Sequence, residues 1–454
     1  MTRDQLAALT AILCLAGTAS ADGLKAGAFA MDVTPKTFPI SVNGNMADVQ
    51  AKAANDPLHA RCLVLDDGKT RLAIAVVDSC MLPRELVEDA KARANKLTGI
   101  PADHILISAT HSHSAPTVTG IFQSEPDAEY VKYLPVKIAE GIKEAHDRRV
   151  PARVGLGRAR DETQVYNRRW KREHALIPPD PFGNAADKVQ MNPGHQAKGL
   201  VEPAGPVDPE VCLVSVQTRD GKPLALLANY SLHYVGGNPP LSADYFGAFA
   251  DRIKQVVAPD AKEFVGIMSN GTSGDANNIN FGAPAVKYGP GERIKLVADR
   301  VAKKAAEGYA KIAYRDDVTL AAAVNDLELR VRKPTEKDLE RARRILEENK
   351  DKKVLVGTAA IYARESVLLA KYPDAVPVHV SAFRIGDIGI VGIPCEVFAE
   401  IGLEIKKSSP LKDTFTIELA NGYNGYLPTP AQHSLGGYET WRARSSYLEV
   451  EAST

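Results

Sequence analysis

The residues with the most chemistry to offer stand at the end of a short apolar run. Leu106-Ile107-Ser108-Ala109 leads into Thr110-His111-Ser112-His113-Ser114. Side chains alternate with a period of two along an extended chain, so His111 and His113 point to one side. Two imidazoles at a strand's carboxyl end suit a metal ion or a proton-transfer site, and open α/β sheets collect their ligands at that end. A polar turn that happens to hold two histidines fits the same letters. His233 also follows an apolar run, Leu226 to Leu232. Alone it reads first as a core or turn histidine; beside His-x-His it becomes a natural third imidazole. Ile393-Pro394-Cys395-Glu396 ends another strand with a carboxylate and opens a helix. Glu396 fits a first helical turn, where the dipole favours it, or a third protein ligand in a zinc site with an open position.

A small-residue turn follows a further strand: Met268-Ser269-Asn270-Gly271-Thr272-Ser273-Gly274-Asp275-Ala276-Asn277. Gly271 and Gly274 allow backbone to approach a ligand, and exposed N–H groups there can hold an anion or a developing oxyanion. Asp275, the carboxylate of this turn, joins the candidate catalytic residues. Arg168, in the pair Asn167-Arg168, reads by itself as a solvated surface group.

These positions need a scaffold of strand ends. Apolar runs recur at 63–65, 72–77, 105–108, 211–216, 224–227, 264–268, 378–383, 388–393 and 415–419. Amphipathic helical patterns lie among them at 84–97, 128–148, 245–257, 292–310, 336–349, 359–371 and 396–407. Alternating strands and helices predict an α/β fold with large mixed sheets covered by helices. No internal repeat is visible. The stretch from Trp170 to Pro206 lacks period and is rich in Pro, Asn, Asp and Gly, so it reads as a long surface loop of the lid type. The Pro- and charge-rich stretch from Arg332 to Lys337 reads as a turn region.

Lys+Arg and Asp+Glu are equal at 56 each, which rules out a whole-protein basic footprint for nucleic acid. A small-molecule substrate is the expected partner. No run of about 18 apolar residues predicts a transmembrane anchor. Residues 1–21 read as a signal peptide, with an apolar stretch from Ala7 to Ala16 and the small-residue site Ala19-Ser20-Ala21. The expected location is secreted or periplasmic, with residues 22–454 as one domain. Outside the leader stand Cys62, Cys80, Cys212 and Cys395. They fit two bridges in an exported chain or buried free thiols.

Taken in order, the motifs resemble the neutral/alkaline (non-lysosomal) ceramidase family. Met31-Asp32-Val33-Thr34-Pro35 is similar to its opening turn, and Ala109-Thr110-His111-Ser112-His113-Ser114-Ala115-Pro116 to its T-H-T-H-S-G-P. Asn167-Arg168, His233 with Ser242-Ala243-Asp244, Pro394-Cys395-Glu396, Asn421-Gly422-Tyr423-Asn424-Gly425-Tyr426 and Tyr438-Glu439 resemble its later motifs. The resemblance implies the fold of that family's N-terminal catalytic domain, without the C-terminal immunoglobulin-like domain. It implies Zn²⁺ held by His111, His233, Glu396 and Tyr426. His113 would handle protons or touch substrate beside the metal, and Arg168 and Tyr438 would face the scissile carbonyl. Asn277 stands where the family carries a serine, so hydrolysis would rest on metal-activated water.

Three readings follow. The first is an exported zinc-dependent hydrolase of an amide or ester. The second is a true ceramidase or N-acyl lipid amidase. The third is a non-catalytic binding protein that retains the fold. N-terminal sequencing of the exported protein is expected to begin at Asp22, and a mature chain that still begins at Met1 would contradict the leader.

Overall fold

Three four-stranded units of one topology, drawn from successive thirds of the chain, build the sheets. The first contains Lys25–Asp32, His59–Asp66, Arg71–Val77 and Ile105–Ala109. The second contains Val150–Arg160, Glu210–Thr218, Pro223–Tyr230 and Val265–Asn270. The third contains Leu320–Arg330, Ala375–Ile385, Ile388–Ile393 and Asp413–Glu418. In each unit the first three strands pair antiparallel, and the fourth lies parallel to the third. A parallel neighbour requires a crossover. Helices Arg84–Thr98, Asp244–Val257 and Ala399–Ser408 supply it in the three units. The structure is a computed structural model that describes residues 23–237 and 241–454. The leader, residues 1–21, and its cleavage point before Asp22 lie outside the described residues.

The first two units join into one eight-stranded sheet through only two residue pairs, Lys25↔Pro151 and Ala26↔Val150. So short a seam lets the two halves fold toward each other. The inner faces of all three units therefore share one core, including Leu63, Ile74, Val214, Leu227, Phe383 and Phe415. Each fully buried side chain of this kind contributes roughly 1.5–3 kcal/mol. The outer face of the first unit packs on Arg84–Thr98 and Ala128–Asp147 through Leu86, Leu134 and Ile138. The second unit is covered in the same way by Asp244–Val257 and Glu292–Tyr309, through Phe249, Val297 and Val301.

The three fourth strands lie against one another at the centre. Each parallel pair ends side by side, at Val77/Ala109, Tyr230/Asn270 and Ile393/Glu418. The loops that follow these six ends are consequently gathered over one point. Cys80, His233 and Glu396 each stand three residues beyond the end of their unit's third strand.

The expected mixed α/β architecture is present, with four local corrections. The units form an internal repeat of topology that similarity of letters does not reveal. The first strand of every unit escapes the apolar-run pattern because KAGAFAMD, VPARVGLGRAR and LAAAVNDLELR mix Ala, Gly and charged residues, which have low strand propensity. Glu396 does not open a helix. It pairs with Tyr426 in two short parallel strands, Glu396–Val397 and Tyr426–Leu427, and the helix starts at Ala399. The Trp170–Pro206 stretch is not a structureless loop, because Arg169–Arg172, Val189–Met191 and Leu200–Pro203 form a three-stranded sheet. The expected turn region before residue 338 ends in a capping box, with Thr335 and Asp338 starting the helix Glu336–Glu348.

Cys62, Cys80, Cys212 and Cys395 are buried free thiols. Three of them, Cys62, Cys212 and Cys395, have thiols pushed far up by burial. Alkylation under denaturing conditions without reductant is expected to label all four. A peptide map that recovers any two of them as a disulfide would contradict the buried-thiol assignment.

Candidate metal centre

The His-x-His pair meets at one point, but not through strand alternation. The strand stops at Ala109, and His111 has a positive φ of 73°, so the chain has already turned. The turn carries the rings edge to face, with their Nε2 atoms 3.2 Å apart. Histidine tolerates this backbone region better than most residues, and such conformers gather at functional sites.

His111 and His233 approach each other most closely. His111 Nδ1 donates to the Cys80 carbonyl at 2.7 Å, and His233 Nδ1 donates to the Ser273 carbonyl at 3.1 Å. Each acceptor fixes the tautomer and turns Nε2 toward the centre. The two Nε2 atoms lie 3.0 Å apart. Glu396 Oε2 is 3.2 Å from His111 Nε2 and has no hydrogen-bond donor. Its other oxygen accepts from the Tyr423 hydroxyl at 3.0 Å. Lone pairs from two imidazoles and a carboxylate thus face one buried point, which is unfavourable unless a cation shares it. At His233 the Arg168 guanidinium supplies part of that positive charge, 3.1 Å from Nε2. Burial pushes the His111 imidazolium down, but Glu396 and Cys80 outweigh it and hold the group well above its ordinary range. Burial likewise pushes Glu396 up, and His111, Tyr426 and Arg168 bring it below the usual value. Ligand atoms of His111, His233 and Glu396 all lie within 4.8 Å of one another.

Tyr426 stands beside Glu396 in register, on the neighbouring short strand. Its hydroxyl accepts from Arg168 Nη2 at 3.0 Å. Burial and Glu396 push the phenol well above its ordinary value despite Arg168. An adjacent divalent cation is what would draw off its proton. Two imidazoles, a carboxylate and a phenol are nitrogen and oxygen donors of the kind zinc takes, so the residues fit the ion. His113 falls outside this set and groups instead with Cys80 and His111. Its ring stacks on Tyr234 at 3.7 Å, and Gly44 backs it so closely that a Cβ there would lie 2.4 Å from His113 Cγ. Burial, with His111 and Arg168 nearby, pushes its pKa well below the ordinary value.

Arg168 is buried, not a solvated surface group. Its Nε donates to Glu439 at 2.9 Å, Nη2 to the Gly274 carbonyl at 2.9 Å, and Nη1 to His233 Nε2 at 3.1 Å. Arg169 Nη1 reaches the second Glu439 oxygen at 2.6 Å. Glu439 and Arg169 are both 0% exposed, so one buried carboxylate bridges two guanidinium groups. Tyr438 meets Tyr426 edge-on at 5.8 Å, and its hydroxyl has no hydrogen bond to the described residues. A cavity of about 20 Å³ is lined by His111, His113, Glu396, Tyr426 and Tyr438, room for about one water. Met81, Ile121 and Phe122 form its apolar side.

Asp275 is not brought to that cavity. Its carboxylate accepts from Asn167 Nδ2 at 2.7 Å and from the Ala399 N–H at 2.9 Å, at the first turn of Ala399–Ser408. Burial pushes it up to about 6. Both oxygens are committed to holding the Arg168 segment and this helix together, which is a positioning role. Asn277 donates to Asn192 Oδ1 and accepts from the Ile279 N–H, both at 2.9 Å. Ser273 Oγ lies 3.3 Å from His233 Nδ1, on the far side of the ring from Nε2, and donates to Glu418. Neither offers a nucleophile to the cavity. The Trp170–Pro206 segment flanks the Arg168 wall through Asn192 N to Arg168 O at 2.9 Å. Asp187 accepts from Trp441 and Ala204 accepts from Gln432, each at 2.8 Å, so the segment is anchored and not hanging free.

Two solved structures are similar to this chain. One is neutral ceramidase from Pseudomonas aeruginosa, with a TM-score of 0.70 and 16% identity over 94% of this chain and 72% of that one. The other is a ceramidase complexed with C2, with a TM-score of 0.68, 16% identity and the same coverage. The fold is that of a neutral ceramidase. No family model matches the sequence, and no curated protein does.

Sequence reasoning passed over Arg169 and Glu418 and assigned no role to Tyr423 or Glu439. Glu418 left one signal, a carboxylate closing an apolar strand as Glu396 does. Replacing Glu439 by Gln leaves two buried guanidinium groups facing a neutral amide. Loss of one partner of a buried ion pair costs about 3–5 kcal/mol. Urea unfolding of E439Q is expected to show a loss of that size, and an unchanged midpoint would contradict the pairing.

Proposed function

We propose that the chain is an exported, zinc-dependent hydrolase of an amide or ester bond, working as a single metallohydrolase domain over residues 22–454. The observation that carries this reading is the convergence of His111 Nε2, His233 Nε2 and the partnerless Glu396 Oε2 on one buried point. His111, His233, Glu396 and Tyr426 would hold the ion. When bound, zinc supplies Lewis acidity that polarises a carbonyl and lowers the pKa of a bound water to about 7.

The chain's own groups have distinct work. His113, rigid between Tyr234 and Gly44, is the group to take a proton from the attacking water and return it to the leaving atom. Tyr438, with an uncommitted hydroxyl at the cavity, donates to the oxygen that gains charge in the transition state. Arg168 stays charged and immobile on Glu439, and adds positive potential beside that oxygen without itself needing to move. Met81, Ile121 and Phe122 exclude water on one side and favour an apolar acyl part. A small-molecule or lipid-like substrate suits this lining, and an N-acyl lipid is the second reading that the ceramidase fold supports. No described helix is long and apolar enough to cross a membrane, which is compatible with a secreted or periplasmic protein.

Elemental analysis of the native protein is expected to find stoichiometric zinc. His233→Ala should abolish both tight zinc binding and hydrolysis across a panel of N-acyl and ester substrates. His113→Ala should keep zinc while turnover falls about 10²–10⁴-fold, the usual weight of an acid–base group. Undiminished zinc affinity in the His233 variant would refute the metal site and the enzyme reading with it.

A further inference from the structure

Behind the candidate ligands lies a carboxylate that the proposed chemistry does not use. Glu418 ends the fourth strand of the third unit and is 0% exposed. The matching strand-end positions in the other units are Ala109 and Asn270, neither of them acidic. Three donors converge on Glu418. Ser273 Oγ reaches Oε1 at 2.5 Å, and the N–H groups of Ser273 and Val397 reach Oε2 at 3.1 and 2.7 Å. A carboxylate that only accepts is what this arrangement of donors suits.

The donors belong to the two segments that carry candidate ligands from different units. Ser273 supplies the carbonyl that orients His233, at 3.1 Å from Nδ1. Val397 directly follows Glu396. The two segments also touch through Gly274 N to Val397 O at 2.8 Å, and Gly274 is packed so tightly that a Cβ would lie 2.5 Å from the Glu396 carbonyl. His111, by contrast, is braced within its own unit by the Cys80 carbonyl. Glu418 thus ties the second unit to the third beside the Gly274–Val397 bond, from the side of the His233 orienting carbonyl.

We propose that Glu418 is a positioning residue for the metal centre, which sets the spacing of His233 and Glu396 by tying Ser273 to Val397. The inference rests on the zinc reading above. The outer partners of metal ligands typically govern metal affinity by about 10–100-fold. Glu418→Ala is thus expected to weaken zinc binding about 10–100-fold in the folded, full-length protein. Ser273→Ala, which deletes one donor and leaves the orienting carbonyl, should cost about tenfold at the low end of that range. Glu418→Gln keeps an oxygen for the two N–H groups and an amide for the serine, and should restore affinity close to wild type.

The test is competition for Zn²⁺ against a chromogenic chelator at 25 °C, with thermal unfolding of each metal-free variant measured alongside. A purely structural role would lower the unfolding temperature while leaving the dissociation constant alone. Weakened zinc binding in Glu418→Ala and Ser273→Ala, with recovery in Glu418→Gln, supports the proposal. Wild-type affinity in a folded Glu418→Ala or Ser273→Ala protein overturns it, and the serine variant decides if the alanine variant at 418 does not fold. Wild-type protein that binds no zinc would overturn the metal reading and this inference together. Wild-type binding with unaffected variants overturns this inference alone.

Discussion

Two imidazole nitrogens 3.0 Å apart, each unable to turn away, define the centre of this protein. His111 is held by a carbonyl of its own unit and His233 by the carbonyl of Ser273. Without those two bonds the rings would rotate and relieve the facing lone pairs. With them, the site gathers a demand for positive charge that Arg168 meets in part, through Nη1 to His233. The partnerless oxygen of Glu396 adds to that demand.

Such a site is costly, and the surrounding structure shows where the cost is met. Arg168 sits against His233, where a cation competes with the ion the site would hold. Glu439 holds it there, bridging it to Arg169 deep in the protein. Glu439 follows Tyr438, so the residue that secures the arginine also carries the free hydroxyl of the cavity into position. Asp275 secures the same wall from the other side by joining Asn167 to the first turn of Ala399–Ser408. Arg168 and the segment that carries it are therefore braced by buried ionic or charge-assisted bonds, the kind that loses most when one partner is removed.

The repeated topology explains why one point can draw on distant parts of the chain. A parallel strand pair directs two loops the same way, and three such pairs meet at the centre with their ends together. The three units contribute unequally. The second and third offer His233 and Glu396 at matching positions, whereas the first offers Cys80 there and places its candidate ligand, His111, after the fourth strand. The symmetry belongs to the scaffold, and the chemistry comes from breaking it.

The letters alone were enough for the strand-ending histidines, the carboxylate at 396, the alternation of strands and helices, and the ordered motifs that resemble ceramidases. Those features are local: apolar runs, turn residues and spacing along the chain. Other features depended on contacts between remote segments. The His111–His113 meeting arises from a left-handed turn that strand periodicity does not describe. The strand at Glu396 exists only because Tyr426 pairs with it. Asp275 looks like an acid in a glycine turn, yet Asn167 and Ala399, more than 100 residues away on either side, claim both its oxygens. The same holds for Glu418 and Glu439, single carboxylates whose partners lie from 21 to 271 residues away in the chain. Which side of His233 faces His111, and which faces Ser273, was decided by packing, because a ring's orientation is set by the neighbours that fill its hydrogen bonds and not by its place in the sequence.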